Sequence, residues 1–240
     1  MYKLEEEIKQ NIKNIGSDPE LKKIGISFLE KTAKYKYTYN FTWLGLPIIQ
    51  IPQDILAMQE IIWRIKPDLI IETGIAHGGS LIFYASILEL LGSGEILGID
   101  IEIRPHNRKA IEEHPLYKRI KIIEGSSISE EVIESVIELC YLKKKIIVCL
   151  DSNHTHDHVL KELKLYSQFV SKDSYLVVFD TAIEDMADKL FKNRPWGKGN
   201  NPKTAVWEFL KDRDDFIIDK EIENKIVITV APDGYLKRIK

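Results

Sequence analysis

The sequence predicts an α/β fold of the Rossmann-like kind: a seven-stranded, mostly parallel sheet with helices on both faces, a terminal antiparallel hairpin and additional N-terminal helices. Two observations carry this. From residue 68 to 180, apolar runs of strand length alternate with stretches of helical periodicity, the signature of a parallel sheet. Near the C-terminus, two β-rich runs follow one another with almost nothing between them.

The elements follow in chain order. Residues 1 to about 35 read as helical, with Leu4, Ile8, Ile12 and Ile15 at helical spacing, then Leu21, Ile24, Phe28 and Leu29. The aromatic-rich stretch 35–47 has no clean period and reads as an ordered loop that lines a substrate pocket or forms a subunit contact. Pro52 opens a helix through Ile55, Met58, Ile62 and Ile65, which ends before Pro67. Strands are expected over 68–73, 95–101, 120–124, 145–151 and 174–180, and helices over 80–91, 105–113, 129–141 and 157–170. The strands are apolar on both faces, as in a sheet covered on two sides. The runs 216–222 and 225–230 are separated only by Glu223 and Asn224, too short for a crossover helix, so they are expected to pair as a hairpin. Five parallel strands closed by a hairpin is the strand pattern of the class I methyltransferase fold. We expect residues 1–60 to form a helical and aromatic extension and 61–240 a single compact domain.

Composition narrows the function. With 240 residues and a net charge of −3, the chain lacks the basic excess of a nucleic-acid binder. Its two cysteines, Cys140 and Cys149, have no metal-ligand spacing and suit a reducing compartment. The N-terminus has no apolar signal region and no run is long enough to span a bilayer, so a cytoplasmic location is expected. The N-terminal helices are the expected surface for a homo-oligomer.

The first predicted strand runs into Glu72-Thr73-Gly74, followed by Gly78-Gly79-Ser80 at a helix start. Glycines there permit positive φ and close backbone approach, and helix N-terminal amides favour an anionic group. The spacing differs from that of a pyrophosphate binder. Glu72 at a strand's carboxyl end suits the cationic amino-acid end of S-adenosylmethionine, and Gly74, Gly78 and Ser80 belong to the same cofactor turn. Asp100 ends the second strand, where an acid accepts from ribose hydroxyls, or else caps a turn. Ser126, after the third strand, is placed to meet an adenine ring, unless that segment only leads into a helix capped by Ser129.

Asp151 follows the fourth strand and Asp180 ends the fifth. Two converging carboxylates repel unless a cation or proton lies between them, and such an oxygen-rich site suits Mg²⁺ or Ca²⁺. The cation would bind a substrate hydroxyl and lower its pKa. His154 is the candidate general base, and Asp151 borders both cofactor and metal. His158 would share a face with His154 if the helix began early, His156 is expected to be exposed, and Asp157 to sit in the helix's first turn. The irregular segment 191–204 carries Arg194 and Trp196, read as substrate contacts: an anion for the first, a sugar or ring for the second. Trp207 and Phe209 on the next helix are expected in the core.

Glu72-Thr73-Gly74 with Gly78-Gly79-Ser80, Leu150-Asp151-Ser152 with His154 and His158, Arg194-Pro195-Trp196-Gly197 with Asn201-Pro202, Ala205 through Phe209, and Ala231-Pro232-Asp233-Gly234-Tyr235-Leu236 together resemble the cephalosporin hydroxylase family, across approximately residues 38–238. Despite that name, the family looks like S-adenosylmethionine-dependent O-methyltransferases. Its members act in cephamycin methoxylation, and relatives methylate sugar hydroxyls on macrolides and glycolipids. The resemblance implies a Mg²⁺ site with Asp151 as first ligand and Asp180 as the second acid of a pair. The pair's first acid falls on Phe179, which cannot ligate, leaving Glu184, Asp185 or water to complete the shell. The expected acceptor is a hydroxyl of a small molecule or glycan. Two rivals stand beside this reading: an iron oxygenase using the 154–158 histidines with Asp151, and a non-catalytic protein on the same fold.

Overall fold

The computed structural model describes residues 2–240. Helices α1 (Tyr2–Ser17) and α2 (Pro19–Ala33) open the chain. Asp18 separates them: its carboxylate accepts from the amides of Glu20 (2.9 Å) and Leu21 (3.4 Å), and Pro19 takes the first helical position.

The aromatic stretch expected to be a loop contains a small antiparallel hairpin, β1 (Phe41–Trp43) and β2 (Leu46–Ile48). Leu44 and Gly45 turn it, both with positive φ. Strands of three residues are too short to display a period, which is why the pattern was invisible in sequence. Helix α3 (Pro52–Ile65) follows, burying Met58, Ile61 and Ile62.

The central sheet comprises β3 (Leu69–Thr73), β4 (Glu95–Asp100), β5 (Ile120–Glu124), β6 (Ile146–Leu150), β7 (Tyr175–Val178), β8 (Phe216–Ile218) and β9 (Tyr235–Arg238). Helices α4 (Gly79–Leu91), α5 (Pro105–Glu112), α6 (Glu130–Cys140) and α7 (His156–Tyr166) link its parallel strands. Beyond β7 come α8 (Pro202–Leu210) and α9 (Lys220–Ile226). The spatial order is β5-β4-β3-β6-β7-β9-β8, parallel through β7, with β9 antiparallel to both neighbours. Alternation within a strand feeds two cores: Ile70 and Ile147 pack into one layer, Ile71 and Val148 into the other. Strand order reverses at β3, between β4 and β6. Such a switch point opens a crevice at the strands' carboxyl ends.

The terminal hairpin is present, but its second arm is β9, not residues 225–230. The stretch read as a strand forms α9, started by the Asp219 carboxylate, which accepts from the Glu221 amide (3.2 Å). Val227 ends it at φ +62. Thr229 Oγ1 (2.5 Å) and the Val230 amide (2.8 Å) then donate to the buried Asp54 on α3, as does the Tyr235 hydroxyl (2.8 Å). Burial pushes the Asp54 pKa up to about 6 despite these three donors. Tertiary partners therefore override the β propensity of Ile226 to Val230.

Phe209 lies in the core as expected. Trp207 does not: it is 44% exposed, because Ala205, Val206 and Phe209 already fill the inner face of α8. Its indole donates to Asp233 (3.1 Å). Among the described residues, no helix is long and apolar enough to cross a membrane.

Candidate functional site

A cleft of about 400 Å³ opens at the carboxyl ends of the central strands, bordered by Gly74, Asp100, Ser126, Asp151, His154 and Asp180. A larger hollow of about 500 Å³ lies beside α2 and α9. Three of its acids, Asp185, Asp233 and Glu223, are paired with Lys203 and Lys220, and the fourth, Glu30, accepts from the Ala187 amide (2.7 Å).

The cleft floor is set by one glycine. Gly74 has φ +84 and donates its amide to Ile99 O (2.7 Å). A Cβ there would lie 2.2 Å from the backbone oxygen of Asp151. Only a bare Cα lets the β3 turn lie against the end of β6, where the Asp151 amide donates to Thr73 O (2.9 Å). Gly78, at φ +81, precedes α4. A Cβ on Gly79 would lie 2.2 Å from Pro47 O, so the β1–β2 hairpin docks on a bare helix start.

Glu72 is 1% exposed and accepts from Ser80 Oγ (2.6 Å) behind the turn, and it does not border the cleft. Burial pushes its carboxyl pKa up to about 8. Asp100 borders the cleft, and Oδ2 also accepts from the amides of Ile75 (2.9 Å) and Ala76 (3.2 Å). The turn amides that the sequence offered to an anion are thus held by a protein carboxylate. Ser126 borders the cleft, and its carbonyl accepts from the Ser129 amide and hydroxyl, both at 3.0 Å, as α6 begins.

Asp151, His154 and Asp180 bring one potential ligand atom each within 4.8 Å of one another. His154 Nε2 lies 3.2 Å from Asp180 Oδ2. Asp180 adopts φ +57 as β7 gives way to a short 3-10 turn, a conformation that aspartate tolerates better than most residues. Burial, then the charges of Asp180, Glu72 and Glu162, pushes the Asp151 pKa well above the usual carboxylate range. A cation at this point would relieve both effects.

Phe179 is 1% exposed and packs in the core, so it offers nothing to the site. Neither proposed substitute reaches it. Glu184 accepts from the Gly199 amide (2.8 Å) and the Asn201 side chain (2.5 Å), and Asp185 from Lys203 (2.6 Å). The third group beside the two aspartates is His154.

The other histidines are engaged elsewhere. Helix α7 begins at His156, so His154 precedes it and shares no helical face with His158. His158 Nε2 is 3.2 Å from both Ser127 Oγ and Ser152 Oγ and 3.5 Å from Glu162, a fully buried acid that sequence inspection missed. His156, expected to be exposed, has a side chain only 20% accessible, because Nδ1 meets Thr204 Oγ1 (2.8 Å) and Nε2 meets Glu208 (3.2 Å) on α8. One histidine rather than two therefore joins Asp151, which removes the two-histidine oxygenase arrangement among the described residues. Asp157 lies in the first turn of α7, as expected.

The irregular segment before α8 is ordered by its own polar groups. Asn200 accepts from the His156 amide (2.9 Å), and Asn201 caps α8. Trp196 meets the His154 ring edge-on at 4.8 Å between centroids, and the Arg194 guanidinium lies 5.3 Å from the Trp196 ring. Gln50 was also missed in sequence. It borders the cleft, is 6% exposed, and its buried Oε1 has no partner. The available signal was one polar residue inside Ile48-Ile49-Gln50-Ile51.

Comparison with known proteins places the chain in a family. The profile of the family described as Rhamnosyl O-methyltransferase/CmcI matches residues 35–239. A rhamnosyl O-methyltransferase of Mycobacterium tuberculosis is 32% identical over 206 residues, covering 82% of this chain and 78% of the relative. One of Mycobacterium leprae is 28% identical over 204 residues, covering 82% of each. A solved structure of CmcI with Mg and S-adenosylmethionine superposes with a TM-score of 0.58 at 18% identity, covering 84% of this chain and 78% of that one, which shows the shared class I methyltransferase fold. Matched along most of its length by the family profile, the chain is a methyltransferase that belongs to the rhamnosyl O-methyltransferase/CmcI family.

Proposed function

We propose that the protein transfers the methyl group of S-adenosylmethionine to a hydroxyl of a sugar, a rhamnosyl unit first among candidates, with Mg²⁺ held by Asp151 and Asp180. The observation that carries this is the convergence of Asp151, His154 and Asp180 at a cleft floored by Gly74. The donor set fits the cation. Two carboxylates converge from adjacent strand ends, and burial with the charge of Asp180 pushes the Asp151 pKa up. When bound, the cofactor supplies an electrophilic methyl group and the cation supplies positive field that lowers the pKa of a neighbouring hydroxyl.

The chain's own residues do the rest. Asp100 and Ser126 hold the nucleoside beside the Gly74 turn. Oxygen ligands suit Mg²⁺ better than imidazole, so His154 is assigned the proton rather than the metal. With Nε2 held 3.2 Å from Asp180 Oδ2, His154 is assigned Nδ1 as the acceptor of the hydroxyl proton, and Asp180 stabilises the imidazolium that forms. Trp196 packs edge-to-face with that ring, with the Arg194 guanidinium over its own ring, and is assigned to the sugar acceptor. The N-terminal helices, which expose Leu4, Ile8 and Ile24, are the proposed surface for self-association, and the enzyme is proposed to work in the cytoplasm.

Calorimetric titration of S-adenosylhomocysteine with and without Mg²⁺ tests the reading. Micromolar binding, about −8 kcal/mol, is expected. No binding in either condition would overturn it.

A further inference from the structure

The amino-acid end of the proposed cofactor carries an ammonium and a carboxylate, and each needs a polar partner once enclosed. The residue read from sequence for the ammonium was Glu72. In the fold it lies behind the turn, 1% exposed, occupied by Ser80 and outside the cleft lining. Burial pushes its pKa up to about 8, which disfavours the charged form that an ammonium would pair with.

The cleft has another acceptor. Gln50 is 94% buried by relative accessibility, and its Oε1 lacks a hydrogen-bond partner. An orphaned buried acceptor costs about 1–3 kcal/mol, so a bound group that satisfies it gains that amount. Gln50 lines the main cleft and also a small adjoining cavity of about 30 Å³, walled by Pro47, Gly74, Gly79, Ser80 and Asp151. This cavity sits at the start of α4. Asp100 and Ser126, the proposed nucleoside contacts, border only the main cleft. A cofactor with its nucleoside at Asp100 and its reacting carbon near Asp151 extends its remaining arm towards Gly74 and Gln50. We infer that Gln50 holds the amino-acid end of the cofactor, its carboxamide turning to present Oε1, which the fold encloses, to the ammonium. This inference rests on the reading of the cleft as an S-adenosylmethionine site.

The test compares two ligands on one protein by calorimetry: S-adenosylhomocysteine, which has the amino-acid end, and 5′-deoxy-5′-methylthioadenosine, which lacks it. Gln50→Leu removes the acceptor at similar volume. It is expected to weaken S-adenosylhomocysteine about tenfold, the factor for about 1.4 kcal/mol, and to leave methylthioadenosine within about twofold. Gln50→Glu keeps an acceptor and is expected to bind S-adenosylhomocysteine at least tenfold better than Gln50→Leu does. Comparing both ligands on each variant separates a local loss from a folding defect. Equal weakening of both ligands, or none of either, in variants with wild-type unfolding curves would overturn the assignment to Gln50 while sparing the cofactor reading. Failure of the wild-type protein to bind either ligand would overturn both.

Discussion

Replacing Gly74 by alanine tests whether the turn is built for contact with β6 or only for its own backbone shape. Two terms contribute. Holding a residue with a Cβ at φ +84 costs about 1–2 kcal/mol. The added carbon would also sit 2.2 Å from Asp151 O and 2.6 Å from Ser152 Cα, so the β3 turn and the end of β6 must part by roughly 1 Å, an overpacking cost of about 1–3 kcal/mol. The total is about 2–5 kcal/mol, a fall in Tm of about 4–20 °C for a chain of this length. Gly92→Ala supplies the control. Gly92 has φ +77 with nothing within 4 Å of its virtual Cβ, so it carries the backbone term alone, about 2–8 °C. Thermal unfolding of both variants measures the difference. Mg²⁺ affinity should fall in Gly74→Ala alone, because only that change displaces Asp151. Equal losses of Tm and unchanged Mg²⁺ affinity in the two variants would refute the argument.

Three further predictions follow from the site. His154→Ala should lower kcat by about 10²–10⁴ while leaving Mg²⁺ affinity within about threefold. A parallel loss of Mg²⁺ binding would make His154 a metal ligand instead. Glu72, raised from 4.5 to about 8 by burial, binds a proton in the folded chain that the unfolded chain releases. Its contribution is fully present below about pH 4.5 and is lost as pH rises through 8. Between about pH 5 and 8 the wild type should lose about 4 kcal/mol through this group, and denaturant titrations should show Glu72→Gln without that component. Parallel pH profiles for the two proteins would contradict it. Trp196→Ala should raise KM for the sugar acceptor and leave S-adenosylhomocysteine affinity unchanged; a matching loss of cofactor affinity would place Trp196 elsewhere.

The central strands were legible because each repeats one signal, an apolar run ending in a polar residue at the crevice. Asp100, Asp151 and Asp180 follow from that pattern, since a strand's carboxyl end is fixed once its run is found. What failed was decided by partners distant in sequence. Residues 225–230 are β-rich like a strand, yet Asp54 on α3 takes Thr229 and Val230, and Gly234 brings β9 so near β7 that a Cβ there would lie 2.1 Å from Val178 O. Trp207 is as apolar as Phe209 but one residue beyond Val206 on α8, so it turns outward. His156 was read as exposed because Thr204 and Glu208 lie on a helix whose docking no local pattern announces. Gln50 was overlooked for the same reason: its importance depends on which turn packs against it.

The most direct test of the account is transfer of labelled methyl from S-adenosylmethionine to a rhamnosyl glycoside by the purified protein. The account predicts label on a sugar oxygen, loss of transfer with a chelator, its return with Mg²⁺, and little transfer by Asp151→Asn. Transfer that proceeds equally in chelator and in Asp151→Asn, or none to any glycoside despite tight cofactor binding, would contradict it.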